Sequence, residues 1–261
     1  MTMRDGAAER AGWTAARPAG PVRMVWEYVL FYGLLLFFGI VCLAWNLPAT
    51  VLDAVLPRRY GRPLSRFMIR LGFRTYLNAM KACGILKCDL GALDALRGEG
   101  GLVICPNHPS LLDAVFVLSH LPKTVCIAKA NVYDNLFLGS GARMAGYIRN
   151  DAATALVKSA AREVGDGHQL LIFPEGTRTV SAPVNPLKGG FALIARHAGV
   201  PVQTVLIEPN SRFLGKGWNF FHKPEFPLVY TVRLGRRFEP EADVRAMVRK
   251  VEDHYRAELR S

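Results

Sequence analysis

The sequence has 261 residues, enough for one α/β domain with an appendage and a sizeable core. Half of it is apolar, rich for a soluble chain, and the formal charge of +12 favours acidic partners such as nucleic acid, an anionic membrane or phosphorylated substrates and carriers. Five scattered cysteines exclude a disulfide framework, and Cys83 and Cys88 lack the His or Cys neighbours of a zinc site, so no metal is expected.

In chain order, residues 1–21 carry Ala, Gly, Arg and Pro without an apolar period and read as a disordered tail. From Tyr28 to Leu52 there is no charge. As a helix, Tyr28 to Leu47 would be roughly 30 Å long, enough to cross a hydrocarbon core. A signal peptide has a shorter apolar part, so the stretch reads as a membrane anchor, with Pro48 as helix punctuation and Trp26 and Trp45 as interfacial brackets. Between Pro57 and Lys87 every charged residue is basic, which by the positive-inside rule keeps the rest of the chain on the cytoplasmic side of an inner membrane. Arg62, Arg66, Arg70 and Arg74 recur every fourth residue and predict a basic amphipathic helix for anionic headgroups. The same stripe also fits a solvated face of an ordinary helix. Nucleic acid is not expected, because no recognition module accompanies the charge.

From Gly98 strands and helices alternate. Strands are predicted at 102–105, 124–128, 169–173, 202–207 and 228–234. Helices are predicted at 110–119, within 131–145, and at 152–164, 189–198 and 241–259. That alternation predicts an α/β fold with a mostly parallel mixed sheet flanked by helices, binding its ligand at the carboxyl ends of the strands. The predicted organisation is a tail (1–21), an anchor with the basic helix (22–88) and a catalytic domain (89–261).

Two loops carry chemistry. The run Leu102 to Cys105 ends at Pro106, and Pro109 suits the first position of a following helix. His108 and Asp113 would stand about 140° apart on one continuous helix. They can pair only if His108 precedes the helix and bends back over its start. There the carboxylate would fix the imidazole tautomer, as a general base requires. Alone, these residues fit more simply a helix start capped by Asn107 with an incidental histidine. The second loop, Pro174 to Arg178, follows the apolar run 170–173. Gly176 permits positive φ or a close approach, Thr177 offers a hydroxyl, and Arg178 a fork matched to phosphate. Glu175 suits either holding Arg178 or binding an acceptor hydroxyl, and the loop alone also fits a surface turn.

Asn107-His-Pro-Ser-Leu-Leu-Asp113 resembles the NHxxxxD motif, and Phe173-Pro-Glu-Gly-Thr-Arg178 the FPEGTR motif, of the PlsC-type 1-acylglycerol-3-phosphate acyltransferases. Gly146 to Arg149, Gly199 to Val202, Lys129 and Lys188 to Gly190 are similar to further family blocks, so the resemblance covers about 85 to 235. It implies a glycerolipid-acyltransferase-like fold and a cofactor-free O-acyltransferase acting on a lysophospholipid at a membrane. His108, oriented by Asp113, would take the proton of a lipid hydroxyl that attacks an acyl thioester of coenzyme A or acyl carrier protein. Lys129, Arg149 and Arg178 would hold the acceptor's phosphate, and Glu175, Gly176 and Thr177 would complete the pocket. Gln203 and Thr204 replace a proline common in the family, which leaves the acceptor open between 1-acylglycerol-3-phosphate and another lysolipid or an ornithine-type lipid. A non-catalytic lipid binder and a phosphate-handling hydrolase are the remaining alternatives.

Overall fold

The computed structural model describes residues 20–150 and 153–259. Of the tail expected at 1–21, residues 1–19 lie outside them, and Pro21 already begins the first helix. Two long helices come first, α1 (Pro21–Val55) and α2 (Arg58–Ala82), packed as a hairpin. There follow β1 (Leu86–Asp89), a 3-10 turn (Gly91–Leu96), β2 (Leu102–Pro106), α3 (Leu112–His120) and β3 (Thr124–Ala128). Short helices α4 (Ala130–Tyr133) and α5 (Gly139–Met144) lead to β4 (Ile148–Arg149), α6 (Ala153–Gly165) and β5 (Gln169–Leu171). The chain continues through α7 (Gly190–Ala198), β6 (Val202–Pro209), β7 (Leu228–Phe238) and α8 (Val244–Glu258).

Among the described residues the strands form one seven-stranded sheet in the order β1-β7-β6-β2-β5-β3-β4. Every neighbouring pair is parallel except β6 with β7. Every residue of β2 is buried, because both faces of this central strand are covered. Its side chains alternate between two cores. Leu102 and Ile104 join α2 and α3 through Tyr76, Met80 and Phe116. Val103 and Cys105 face α6, α7 and α8 through Ala160, Phe191 and Tyr255.

The fold class matches the sequence reading, while several details differ. β1 and β4 were not predicted, and the boundary expected at 88/89 falls inside β1. Pro109 does not open the helix: a turn carries the chain from His108 to Leu111 before α3 begins. Pro48 does not punctuate α1 but sits inside it, where its missing N–H costs one ladder bond. Of the arginine stripe, Arg66 is buried, donates to the Ala145 carbonyl at 2.9 Å and meets Glu163 at 3.3 Å, and Arg62 pairs with Glu163 at 2.7 Å. Half of the stripe therefore holds α2 onto α6. Trp45 turns inward and donates to Ser65 Oγ at 3.1 Å, while Trp26 remains exposed.

α1 is long and apolar enough to cross a membrane, but it is fastened to the rest of the molecule at both ends. Near its start Glu27 pairs with Lys223 at 2.8 Å, and Phe31 packs edge-on against Phe213. Near its end Asn46 donates to the Leu136 carbonyl at 2.5 Å and accepts from the Gly141 N–H at 2.9 Å. Thr50 donates to Ser140 Oγ at 2.8 Å. From Glu27 to Thr50 the helix rises about 35 Å. Along its outer side Val25, Val29, Leu36, Ile40, Leu47 and Val51 are exposed in one continuous stripe.

Candidate active site

β2 and β5 are adjacent and parallel, so the loops that leave their carboxyl ends emerge side by side although 67 residues separate His108 from Glu175. Asn107 closes the end of β2. Its side chain donates to the Ile207 carbonyl at 2.8 Å and accepts the Ile207 N–H at 2.7 Å, continuing the β2–β6 ladder through an amide. His108 then bends back over the start of α3, and its Nδ1 lies 2.9 Å from Asp113 Oδ2. The same carboxylate oxygen accepts the Ser110 N–H at 2.8 Å. Ser110 Oγ accepts from the Leu112 N–H at 3.2 Å, donates to the Phe213 carbonyl at 2.9 Å and lies 3.2 Å from the Tyr230 hydroxyl.

Asp113 is wholly buried, and its Oδ1 has no hydrogen-bond partner among the described residues. Burial pushes its carboxyl up to about 6, against the opposing pull of His108 and the Ser110 amide. When the carboxylate accepts Nδ1–H, the imidazole keeps Nε2 as its proton acceptor. The ring stacks on Phe173 with centroids 3.8 Å apart and lines a cavity of about 1300 Å³. Phe38 and Val41 of α1, Met68 and Phe73 of α2, and Val115 and Leu118 of α3 give that cavity an apolar wall. Lys129, Lys158, Arg178 and Lys188 supply its cations. A base beside both an apolar wall and cations suits an amphiphile with an anionic head and a reactive hydroxyl.

The structure sorts the remaining expected residues. Gly176 lines the cavity at φ 69°, and a Cβ there would come within 2.8 Å of Lys188 Cδ, so glycine is what lets Lys188 lie across the loop. Arg178 lines the cavity while donating to the Leu214 and Gly215 carbonyls at 2.8 Å each. Glu175 neither holds Arg178 nor reaches the cavity. It is buried, accepts the His108 N–H and the Thr179 hydroxyl at 2.8 Å each through Oε1, and accepts the Asn185 N–H at 2.9 Å through Oε2. Its two oxygens thus tie the two motif loops together from behind. Thr177 also stands off the cavity wall. Arg149 is not brought to His108; it ends β4 and lines a different cleft. Sequence reasoning missed the stacking of Phe173 and the support from Ser110 and Tyr230. Phe173 lay in a recognised motif, whereas Tyr230 carried no local signal.

Residues 88–208 match the family model described as Acyltransferase. The chain is 37% identical over 114 residues to a lyso-ornithine lipid O-acyltransferase of Rhodobacter capsulatus, covering 41% of each protein. It is 34% identical over 113 residues to a 1-acyl-sn-glycerol-3-phosphate acyltransferase of Cocos nucifera, covering 41% of this chain and 36% of that one. These matches span about two fifths of the relatives' length. The human 1-acyl-sn-glycerol-3-phosphate acyltransferase beta is 27% identical over 201 residues, covering 73% of this chain and 69% of the human protein. The crystal structure of PlsC from Thermotoga maritima shares the fold, with a TM-score of 0.66 at 16% identity, over 91% of this chain and 96% of that one.

Proposed function

From the match of residues 88–208 to the acyltransferase family model, we propose that the protein is a membrane-bound O-acyltransferase with His108 as general base. It moves an acyl group from a thioester of coenzyme A or acyl carrier protein to the free hydroxyl of a lysolipid, with 1-acylglycerol-3-phosphate as the first acceptor to test. The observation that carries this reading is the His108–Asp113 pair at the wall of a cavity that is apolar on one side and cationic on the other.

The acceptor hydroxyl gives its proton to His108 Nε2 as its oxygen attacks the thioester carbonyl carbon. Asp113, accepting Nδ1–H, stabilises the imidazolium so formed. Collapse of the tetrahedral intermediate breaks the C–S bond, and the imidazolium returns the proton to the departing sulfur. Ester and free thiol leave, and the histidine is restored. Arg178, Lys188 and Lys129 hold the acceptor's phosphate, and Gly176 shapes the loop that carries Lys188. Glu175 acts from behind the wall, where it ties the two motif loops together. The exposed stripe of α1 holds the molecule on its lipid substrate.

The likeness to a lyso-ornithine lipid acyltransferase favours one second reading, the same chemistry on an ornithine-type lysolipid. An acceptor panel with purified full-length protein in lipid vesicles separates the two. In the same assay His108→Ala is expected to lower acyl transfer by about a hundredfold to ten-thousandfold while vesicle binding persists. Turnover equal to that of the unaltered protein would refute the mechanism.

A further inference from the structure

Beside the catalytic cavity lies a second cleft, of about 850 Å³, whose chemistry the mechanism above does not use. Six arginines line it, Arg58, Arg59, Arg62, Arg143, Arg149 and Arg162, against three carboxylates, Asp53, Glu163 and Asp166. Glu163 is already held by Arg62 and Arg66, and Asp166 stands 4.0 Å from Arg162. Arg149 has Asp134, which does not line the cleft, at 3.4 Å. Arg143 already donates to the Tyr133 carbonyl and to Ser140 Oγ, so the excess positive charge rests chiefly on Arg58 and Arg59, whose guanidinium forks suit phosphate oxygens. The floor is shaped as well: Gly146 has φ 73°, and a Cβ there would come within 2.9 Å of Arg62 Nε.

The position of the cleft names its occupant. Tyr147 and Leu156 line both the cleft and the catalytic cavity and so form the wall between them. Arg149 ends β4, and β4 lies three strands from β2 in the sheet order. The carboxyl edges of the two strands are therefore about 14 Å apart. The acceptor's phosphate has its own cations in the catalytic cavity, so these arginines are surplus to it. A thioester donor presents a carbonyl at His108, an apolar tail and, at the far end of a pantetheine arm, phosphate. Only that last part calls for an arginine cleft one wall away. Resting on the acyl-transfer reading above, we propose that this cleft binds the phosphate-bearing end of the donor's pantetheine carrier, the nucleotide phosphates of coenzyme A or the phosphodiester of acyl carrier protein.

The test uses full-length protein in vesicles and the double variant Arg58→Gln/Arg59→Gln, both positions being exposed at the start of α2. The expected result is a rise of at least tenfold in KM for the donor, with the lysolipid KM changed less than twofold and an unchanged melting temperature. Adenosine 3′,5′-bisphosphate should compete with acyl-CoA in the parent protein and much more weakly in the variant if the nucleotide is the occupant. Holo acyl carrier protein should behave in that way if the phosphodiester is. Equilibrium binding of both competitors is measured in parallel, so a result is obtained even without turnover. An unchanged donor KM and unchanged competitor binding in a protein that turns over would overturn the inference and leave acyl transfer standing. Loss of binding to anionic vesicles alone, with donor KM unmoved, would assign the cleft to lipid headgroups and also overturn it. Absence of turnover in the parent protein with every donor and acceptor would instead overturn the acyl-transfer reading.

Discussion

A single carboxyl group carries most of the stress in this site. Asp113 is held at about 6 because burial strips its solvation, so between pH 4 and 6 the folded protein binds a proton that the unfolded chain has released. A raised carboxyl pKa therefore favours the fold at low pH, and that favour is lost as pH rises through the folded value. The shift corresponds to about 3 kcal/mol. Asp113→Asn carries no such penalty: its unfolding free energy relative to the parent should grow by up to that amount between pH 4 and 7, as measured by denaturant titration. The same substitution should cost about a hundredfold or more in kcat, because the amide cannot stabilise the imidazolium. A pH-independent stability difference would refute the assignment of the shift to Asp113. In the parent protein, kcat/KM should fall on the acid side near pH 6, where Asp113 takes up its proton. Glu175 works differently, through three donors and no substrate. Glu175→Gln turns an amide NH2 toward at least one of them, a cost of about 1–3 kcal/mol. A fall of several degrees in Tm with little change in the lysolipid KM is expected.

At the scale of elements, the site exists because β2 and β5 are neighbours, which brings two sequence-distant turns to one edge. Both turns were legible in the sequence, since each is an apolar strand run ending in proline and polar groups. The angular mismatch of a five-residue spacing made the bend of His108 over α3 the condition for its pairing with Asp113, and the structure has that bend. The roles of Glu175 and Arg149 were not legible. The first depends on which way a buried side chain points between two loops, and the second on where the sheet order sets β4. β1 and β4 escaped notice for related reasons. One alternates buried and exposed residues over only four positions, and the other is two residues long. Gly176 tests the loop as a unit. Gly176→Ala forces a side chain onto positive φ and onto Lys188, and should raise the lysolipid KM severalfold with a smaller effect on the donor KM. Equal changes in both would mean that Lys188 serves neither substrate in particular.

For the molecule as a whole, the acyl-transfer reading makes α1 the element that meets the lipid. Contacts near both ends, through Glu27 and through Asn46 and Thr50, seat the helix along the body, with one apolar stripe left outward. A helix crossing the bilayer upright would carry Val22 and Val55 to opposite surfaces. Seated as it is, both should be reached from the side on which the sheet domain lies. Cysteines introduced at these two positions, in a background with Cys83→Ser, are expected to react with a membrane-impermeant maleimide from the same side of sealed vesicles. Labelling from opposite sides would show that α1 leaves the body and spans. Replacing Leu36 and Ile40 by glutamate should weaken vesicle binding by tenfold or more without lowering Tm, since both side chains are exposed.

The way α1 is seated also means that it is no detachable handle. Phe31 covers Phe213 and Phe226, and Phe38 lies 4.7 Å from Tyr76, so removing the helix bares aromatic surface that no other element would shield. A shortened protein beginning at Arg58 is therefore expected to clump rather than dissolve. Whoever wants a water-soluble version would do better to repaint the outward stripe than to cut the helix off.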